Sequence, residues 1–327
     1  MHREMAKDSS SEPSDSARAY TSAVIIANPT SGSHARQVHQ MQETITFLRN
    51  AGWKVELQVT VAPGDASRMT REAVDRHTEV VIVAGGDGTI NEVIQELAGS
   101  ETVLGVLPAG TANVWARDTN IPLDYASARE VLVHGKTRRV DLGHVNGRYF
   151  LLMAGIGFDG EVTHAIEKKP IKRLGVVAYL LVGAWLGLGY ESFRVYMTIN
   201  GRLVKKHALQ VVIGNTQLYG GAIKYTWQAK CDDGLLDVCI LRKRTMLERI
   251  FVFVDFLLYR AQRHQWVSYT KCTSLNVRTR KPVAIQVDGE PFGYTPARFS
   301  IFPKALKVIV PQKIPQVFSV SHPSPQD

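Results

Sequence analysis

The chain is short of what several protein classes require. Its 327 residues include only three cysteines, Cys231, Cys239 and Cys272. They cannot all pair and none forms a C-x-x-C, which excludes a disulfide scaffold or cysteine-based zinc site and favours a reducing, cytoplasmic setting. No apolar run is long enough for a membrane span. The longest, Leu174–Tyr190, has 17 uncharged residues with four glycines. As a helix it would reach roughly 25 Å, short of a ~30 Å hydrocarbon core. The first twenty residues are polar, Ser-rich and lack the apolar core of a signal peptide. They read as a disordered tail, as do residues 315–327.

Acidic residues are scarce in the second half. Residues 1–140 hold 14 basic and 17 acidic side chains, whereas 141–327 hold 25 and 13, so of the net charge of +9 the first part contributes −3 and the second +12. A partner of negative charge is implied. No RNA-binding signature, zinc finger or continuous basic helix accompanies the cations, so nucleic acid is not expected and an anionic membrane surface is. Lys168-Lys169-Pro170-Ile171-Lys172-Arg173 lies directly before the apolar segment, and Ile250–Leu258 is flanked by Arg242, Lys243, Arg244, Arg249, Arg260 and Arg263. Both patterns suit a peripheral contact with lipid.

Apolar runs at Ala23–Ala27, Val80–Ala84 and Val103–Leu107, with helical patterns between them, predict an α/β domain with a parallel sheet. Each run ends in a loop rich in small and polar residues: Asn28–Gly32, Gly85–Thr89 and Pro108–Asn113. Ligands bind outside the carboxyl ends of such strands, and backbone N–H groups at a helix start attract phosphate. After about Val140 the rhythm changes to short strands. The turn pairs Asn146-Gly147, Asn200-Gly201, Asp233-Gly234 and Asp288-Gly289 punctuate them, predicting a β-rich second domain with helical interruptions near 174–190 and 245–262.

Two motifs mislead. Gly135-Lys136-Thr137 lacks the upstream glycine of a P-loop, since position 130 is Glu130. Gly155-Ile156-Gly157-Phe158-Asp159-Gly160 fits G-x-G-x-x-G, but the basic, proline-broken continuation argues against the strand–helix unit that a dinucleotide site needs.

In order along the chain, Asn28-Pro29-Thr30-Ser31-Gly32, Thr60 with Gly64-Asp65-Ala66, Gly85–Glu92, Pro108–Asn113, Ala154–Gly160, Asp232–Asp237 and Val287–Pro291 resemble the diacylglycerol kinase catalytic-domain superfamily, in particular its bacterial soluble lipid-kinase branch. The similarity spans about Ala23 to Pro311. It implies a phosphofructokinase-like nucleotide-binding α/β domain, helices on both faces of its sheet, followed by a β-sandwich, with the active site in the cleft between them. The domains would cover 21–139 and 140–308, the segment near 309–314 being a candidate to return to the first.

The resemblance places ATP at Asn28, Pro29, Thr30, Ser31, Gly32, Thr60, Gly86, Asp87, Gly88, Thr89, Ile90, Asn91, Glu92 and Thr111. It puts the general base in the turn Asp288-Gly289-Glu290, with Glu290 first and Asp288 second, and a structural magnesium on Asp233 with the backbone carbonyls of Lys230 and Leu235. Asp87 suits a catalytic magnesium carried in with ATP. The expected reaction is transfer of the γ-phosphate to a lipid hydroxyl, diacylglycerol first, by a cytoplasmic protein at the inner membrane face. A homodimer stays open. The alternatives are an NAD kinase-type enzyme with a soluble acceptor, which shares GGDGT, and a regulator that binds lipid or nucleotide without turnover.

Overall fold

The computed structural model describes residues 20–29, 34–167, 190–221, 223–242, 255, 260 and 267–319. In the first domain, Ser22–Ala27 (β1), Lys54–Val59 (β2), Val80–Gly85 (β3) and Val103–Pro108 (β4) form a parallel sheet in the order β2-β1-β3-β4. Every residue of β3 and β4 is buried, as expected where helices cover both faces. The helices are His34–Asn50 (α1), Asp65–Asp75 (α2), Asp87–Leu97 (α3), the single turn Val114–Asp118 (α4) and Tyr125–His134 (α5). α2 packs on α3, and α1 packs on α5. The chain leaves β1 toward one side of the sheet and β3 toward the other, so a crevice opens between their carboxyl ends. In folds of this kind that switch point is where ligands bind.

Lys136–Val145 (β5) runs unbroken across the expected domain boundary at 139–140. It leads to Arg148–Phe150 (β6) and Met153–Gly157 (β7), where the sequence predicts one strand over Tyr149–Ala154. Phe158–Glu167 (α6) follows. The remaining elements are Phe193–Ile199 (β8), Arg202–Gly214 (β9), Leu218–Tyr219 (β10), Ile223–Lys224 (β11), Leu236–Arg242 (β12), Val267–Cys272 (β13), Ser274–Thr279 (β14), Ala284–Val287 (β15), Glu290–Tyr294 (β16) and Ala297–Val310 (β17). The path β16-β15-β7-β9-β8-β14-β17 joins the parallel sheet at β4. The β-rich part closes around its own core, with Phe150, Val195, Met197, Ile213, Val277 and Phe299 among the buried side chains.

β17 joins the two parts. Its first half pairs with β14, while Lys307 and Val308 pair with Val103 and Leu104 of β4. The end of β17 thus lies in the same sheet as β4. A further tie is Asp118, buried, which accepts the N–H groups of Gln217 (2.8 Å) and Leu218 (3.1 Å). Apart from Asp255 and Arg260, the candidate lipid-facing segments 168–189 and 243–266 lie outside the described residues. Among the described residues no helix is long and apolar enough to cross a membrane.

The G-x-G-x-x-G stretch has a structural explanation. Contrary to expectation a helix, α6, does start within it, but β7 sits in an antiparallel ladder between β9 and β15 rather than in a βαβ unit. A Cβ on Gly155 would lie 2.0 Å from Asp159 Oδ2, and one on Gly160 2.4 Å from the Ala284 carbonyl. These glycines serve close packing.

Candidate active site

Three loops meet at the crevice. α3 begins at Asp87, so the Gly86–Thr89 stretch is itself the helix start. The N–H groups of this turn have no partner within the helix and carry the positive end of its dipole, which suits a phosphate. Gly85 is obligatory because a Cβ there would come 2.8 Å from Thr89 Oγ1. Asn28 Nδ2 donates to that same Thr89 hydroxyl at 3.2 Å, linking the loop after β1 to α3. Thr60 is buried behind it, its N–H on the Ala27 carbonyl at 2.9 Å. The Pro108–Asn113 loop lies against Gly86, where a Cβ on Gly110 would sit 2.5 Å from the Gly86 Cα. Asn113 closes this loop on itself, accepting from Gly110 N–H (2.9 Å) and donating to the Gly110 carbonyl (2.8 Å). Thr111 stands exposed at its tip, and Pro29 is exposed too, while Thr30, Ser31 and Gly32 lie outside the described residues.

Several expected nucleotide residues have partners that define their work. Asp87 accepts the N–H of Val114 (2.9 Å) and of Trp115 (3.1 Å), tying the phosphate turn to α4; burial pushes its carboxyl up, and those two donors oppose the shift. Glu92 accepts from Gly64 N–H at 3.1 Å. Ile90 turns its side chain into the core, so a nucleotide would meet its backbone alone. Asn91 is buried and spans the crevice, donating to Asp288 Oδ2 at 2.9 Å.

The two carboxylates of the Asp288-Gly289-Glu290 turn have separate surroundings. Asp288 and Gly289 both adopt positive φ (48° and 84°), the conformation of a tight hairpin turn in which Asp-Gly is favoured. Asp288 is buried and takes four donors: Asn91 Nδ2, and the N–H groups of Leu151 (2.9 Å), Leu152 (3.0 Å) and Met153 (2.9 Å). Burial pushes its carboxyl up to about 6, against the pull of those donors. Its oxygens are fully occupied. Glu290 is half-exposed and leans over the start of α3, with its Oε1 3.3 Å from where a Gly88 Cβ would be.

Arg148 escaped the sequence reading. It donates to Asn91 Oδ1 and to Glu290 Oε2, joining α3 to the candidate base. Its only sequence cue is the preceding Asn146-Gly147 turn. Asp159 was likewise hidden in the glycine motif. Buried, it accepts from the Tyr219 hydroxyl and from Gln286 Nε2 (2.7 Å), while Gln286 Oε1 accepts Gly289 N–H (2.8 Å). Burial pushes Asp159 up to about 6. A chain of contacts thus runs from β10 to the Asp288-Gly289-Glu290 turn.

The expected structural metal falls in the turn before β12. Asp233 accepts from Leu235 N–H (3.1 Å) and pairs with Lys271 Nζ at 2.8 Å. Asp141 accepts from Gly234 N–H (2.6 Å), and burial together with the charges of Asp233 and Asp232 pushes its carboxyl up. Asp237 has a buried Oδ2 with no hydrogen-bond partner, 3.5 Å from Lys271 Nζ. Asp141, Asp232, Asp233 and Asp237 gather around one ammonium, and oxygen groups of this kind are what a hard divalent cation takes. Among the described residues no three acidic, His or Cys side chains converge as ligands. An ion here would draw on backbone carbonyls, as expected of Lys230 and Leu235.

The fold is that of a two-domain protein, an α/β part and a β-rich part, and comparison with known proteins gives its family. Residues 22–145 match the model of the diacylglycerol kinase catalytic domain, and 153–310 match that of the YegS C-terminal NAD kinase beta sandwich-like domain. A diacylglycerol kinase of Bacillus subtilis (strain 168) is 33% identical over 292 residues, 88% of this chain and 96% of the relative. One of Staphylococcus carnosus (strain TM300) is 30% identical over 89% and 95%. The crystal structure of a diacylglycerol kinase from Bacillus anthracis superposes with a TM-score of 0.70 at 21% identity, covering 90% of this chain and 98% of that one, a likeness of fold alone. The chain belongs to the diacylglycerol kinase family and is an enzyme of the lipid-kinase class.

Proposed function

We propose that the enzyme moves the γ-phosphate of ATP to a lipid hydroxyl, with diacylglycerol as the first acceptor, and that Glu290 is the general base. The observation that carries this reading is the placement of Glu290 over Gly88, half-exposed and beside the helix start where phosphate would bind. The N–H groups around Gly86 and Gly88 hold the phosphates, with Asn28, Thr60, Thr89 and Thr111 lining the crevice. Glu290 takes the proton of the lipid hydroxyl as its oxygen bonds to the γ-phosphorus. The bond from that phosphorus to the β,γ-bridging oxygen breaks, and ADP leaves. Phosphoryl transfer depends on positioning and on neutralising charge, which this arrangement supplies.

Asp288 is the weaker candidate for the base, because four donors surround it and no face is open to a substrate. Its work is to hold the turn. Asp87 is a ligand for α4 first, and any contact with ATP-borne magnesium would share its carboxylate. A magnesium ion at Asp233 with the Lys230 and Leu235 carbonyls would neutralise the acidic turn before β12.

The basic second half supports docking on an anionic membrane, at the cytoplasmic face in the setting the cysteines favour. The test is incubation with labelled ATP and magnesium in mixed micelles carrying diacylglycerol, phosphatidylglycerol or a sphingoid base, with NAD in parallel. Label in a lipid is the expected outcome. Label in NADP, or nucleotide binding without transfer to any acceptor, would overturn the reading.

A further inference from the structure

Arg148 stands where two negative charges would otherwise meet. Its guanidinium, about a quarter exposed, donates to Asn91 Oδ1 and Glu290 Oε2 together. Asn91 lies one turn into α3, and the start of that helix is the phosphate site of the proposed function, on which this inference rests. Glu290 Oε1 lies 3.3 Å from where a Gly88 Cβ would be, on the same turn. A terminal phosphate bound there would face the Glu290 carboxylate, with Asp87, Asp288 and Glu92 close behind. Bringing anions together in a half-buried crevice is unfavourable unless a cation lies between them.

Arg117 lies near Asp87, but its Nε is committed to the Ala112 carbonyl at 2.9 Å. Arg148 is the cation already seated between α3 and Glu290. A guanidinium has five donors in a planar fork, and Asn91 and Glu290 do not use them all.

We propose that Arg148 is a ligand for the terminal phosphate of the nucleotide, and that its pairing with Glu290 in the free enzyme is given up, in part or whole, when that phosphate arrives. Asn91 anchors the guanidinium in both states. The exchange makes the base carboxylate available only once a phosphate is in place to receive the lipid oxygen. It also predicts a competition: in the free enzyme Glu290 holds Arg148 back from the nucleotide.

The test is nucleotide binding to the full chain by calorimetry, comparing a non-hydrolysable ATP analogue with ADP. Arg148→Met should weaken the analogue on the order of 10- to 100-fold, the scale of a lost charge-assisted hydrogen bond, and ADP less than about threefold. Arg148→Lys should recover part of the preference. Glu290→Gln should tighten the analogue a few-fold in the wild-type background and leave it unchanged in the Arg148→Met background. Melting curves identify any variant that fails to fold, in which case the Arg148→Lys and Glu290→Gln comparisons decide. Equal loss of both ligands, or no coupling between positions 148 and 290, would overturn the proposal. A wild-type chain that binds neither nucleotide would sink the ATP reading beneath it, whereas one that binds both without phosphorylating lipid would leave Arg148 supported and the acceptor wrong.

Discussion

Replacing Asp288 by asparagine separates the two carboxylates of the Asp288-Gly289-Glu290 turn. Each oxygen of Asp288 serves two donors: Oδ1 takes the N–H groups of Leu152 and Met153, and Oδ2 takes Leu151 N–H and Asn91 Nδ2. In the variant one oxygen becomes an amide NH2, so two donors face a donor. Rotating the Asn91 amide would relieve one of them but would break the bond from Arg148 to Asn91 Oδ1. At about 1–3 kcal/mol for each buried group left unsatisfied, the loss is about 2–6 kcal/mol. For a domain of this size the melting temperature should fall by roughly 5–20 °C. Asparagine tolerates the positive φ at this position, so backbone strain does not enter. The assay is calorimetric or fluorescence melting alongside turnover at a temperature where the variant is folded. A variant that melts within about a degree of wild type and yet has no turnover would show that Asp288 does chemistry rather than hold the turn.

Gly110→Ala should cost about 1–3 kcal/mol and weaken ATP binding, since its Cβ would lie 2.5 Å from the Gly86 Cα and neither backbone can yield without moving the phosphate turn; melting and calorimetry check both. Asp159 should make stability fall as pH rises. Its carboxyl titrates near 6 in the folded chain against an ordinary value of 3.8, so the folded state binds the proton more tightly, and about 1–3 kcal/mol is lost between roughly pH 4 and 6. Asp159→Asn keeps a partner for Tyr219 and for Gln286 and should flatten that part of the profile in urea titrations. Magnesium should raise the melting temperature of the wild type and much less that of Asp233→Asn; an equal shift in both would place the ion elsewhere.

Much of the nucleotide domain was legible because its signals are local. Val80–Ala84 and Val103–Leu107 are uninterrupted apolar runs, and each is buried on both faces as read. The strand at Phe193–Ile199 alternates and matches β8 residue for residue. Where meaning depends on distant partners, local pattern was silent. β5 and β17 each cross from one domain to the other, which short-range periodicity cannot express. In Asp288-Gly289-Glu290 the sequence shows two equivalent carboxylates either side of a glycine. Only the fold reveals that residues 91 and 151–153 enclose one and leave the other over Gly88. Arg148 was missed for the same reason: no local motif announces an arginine whose partners are 57 and 142 positions away.

The central claim is that Glu290 accepts the proton of the lipid hydroxyl beside the phosphate turn. Glu290→Gln keeps the shape and removes the base, so label transfer from ATP to diacylglycerol in micelles should fall about 10²- to 10⁴-fold. ATP should bind at least as tightly as it does to the wild type. Turnover at the wild-type rate with ATP binding intact would contradict the account.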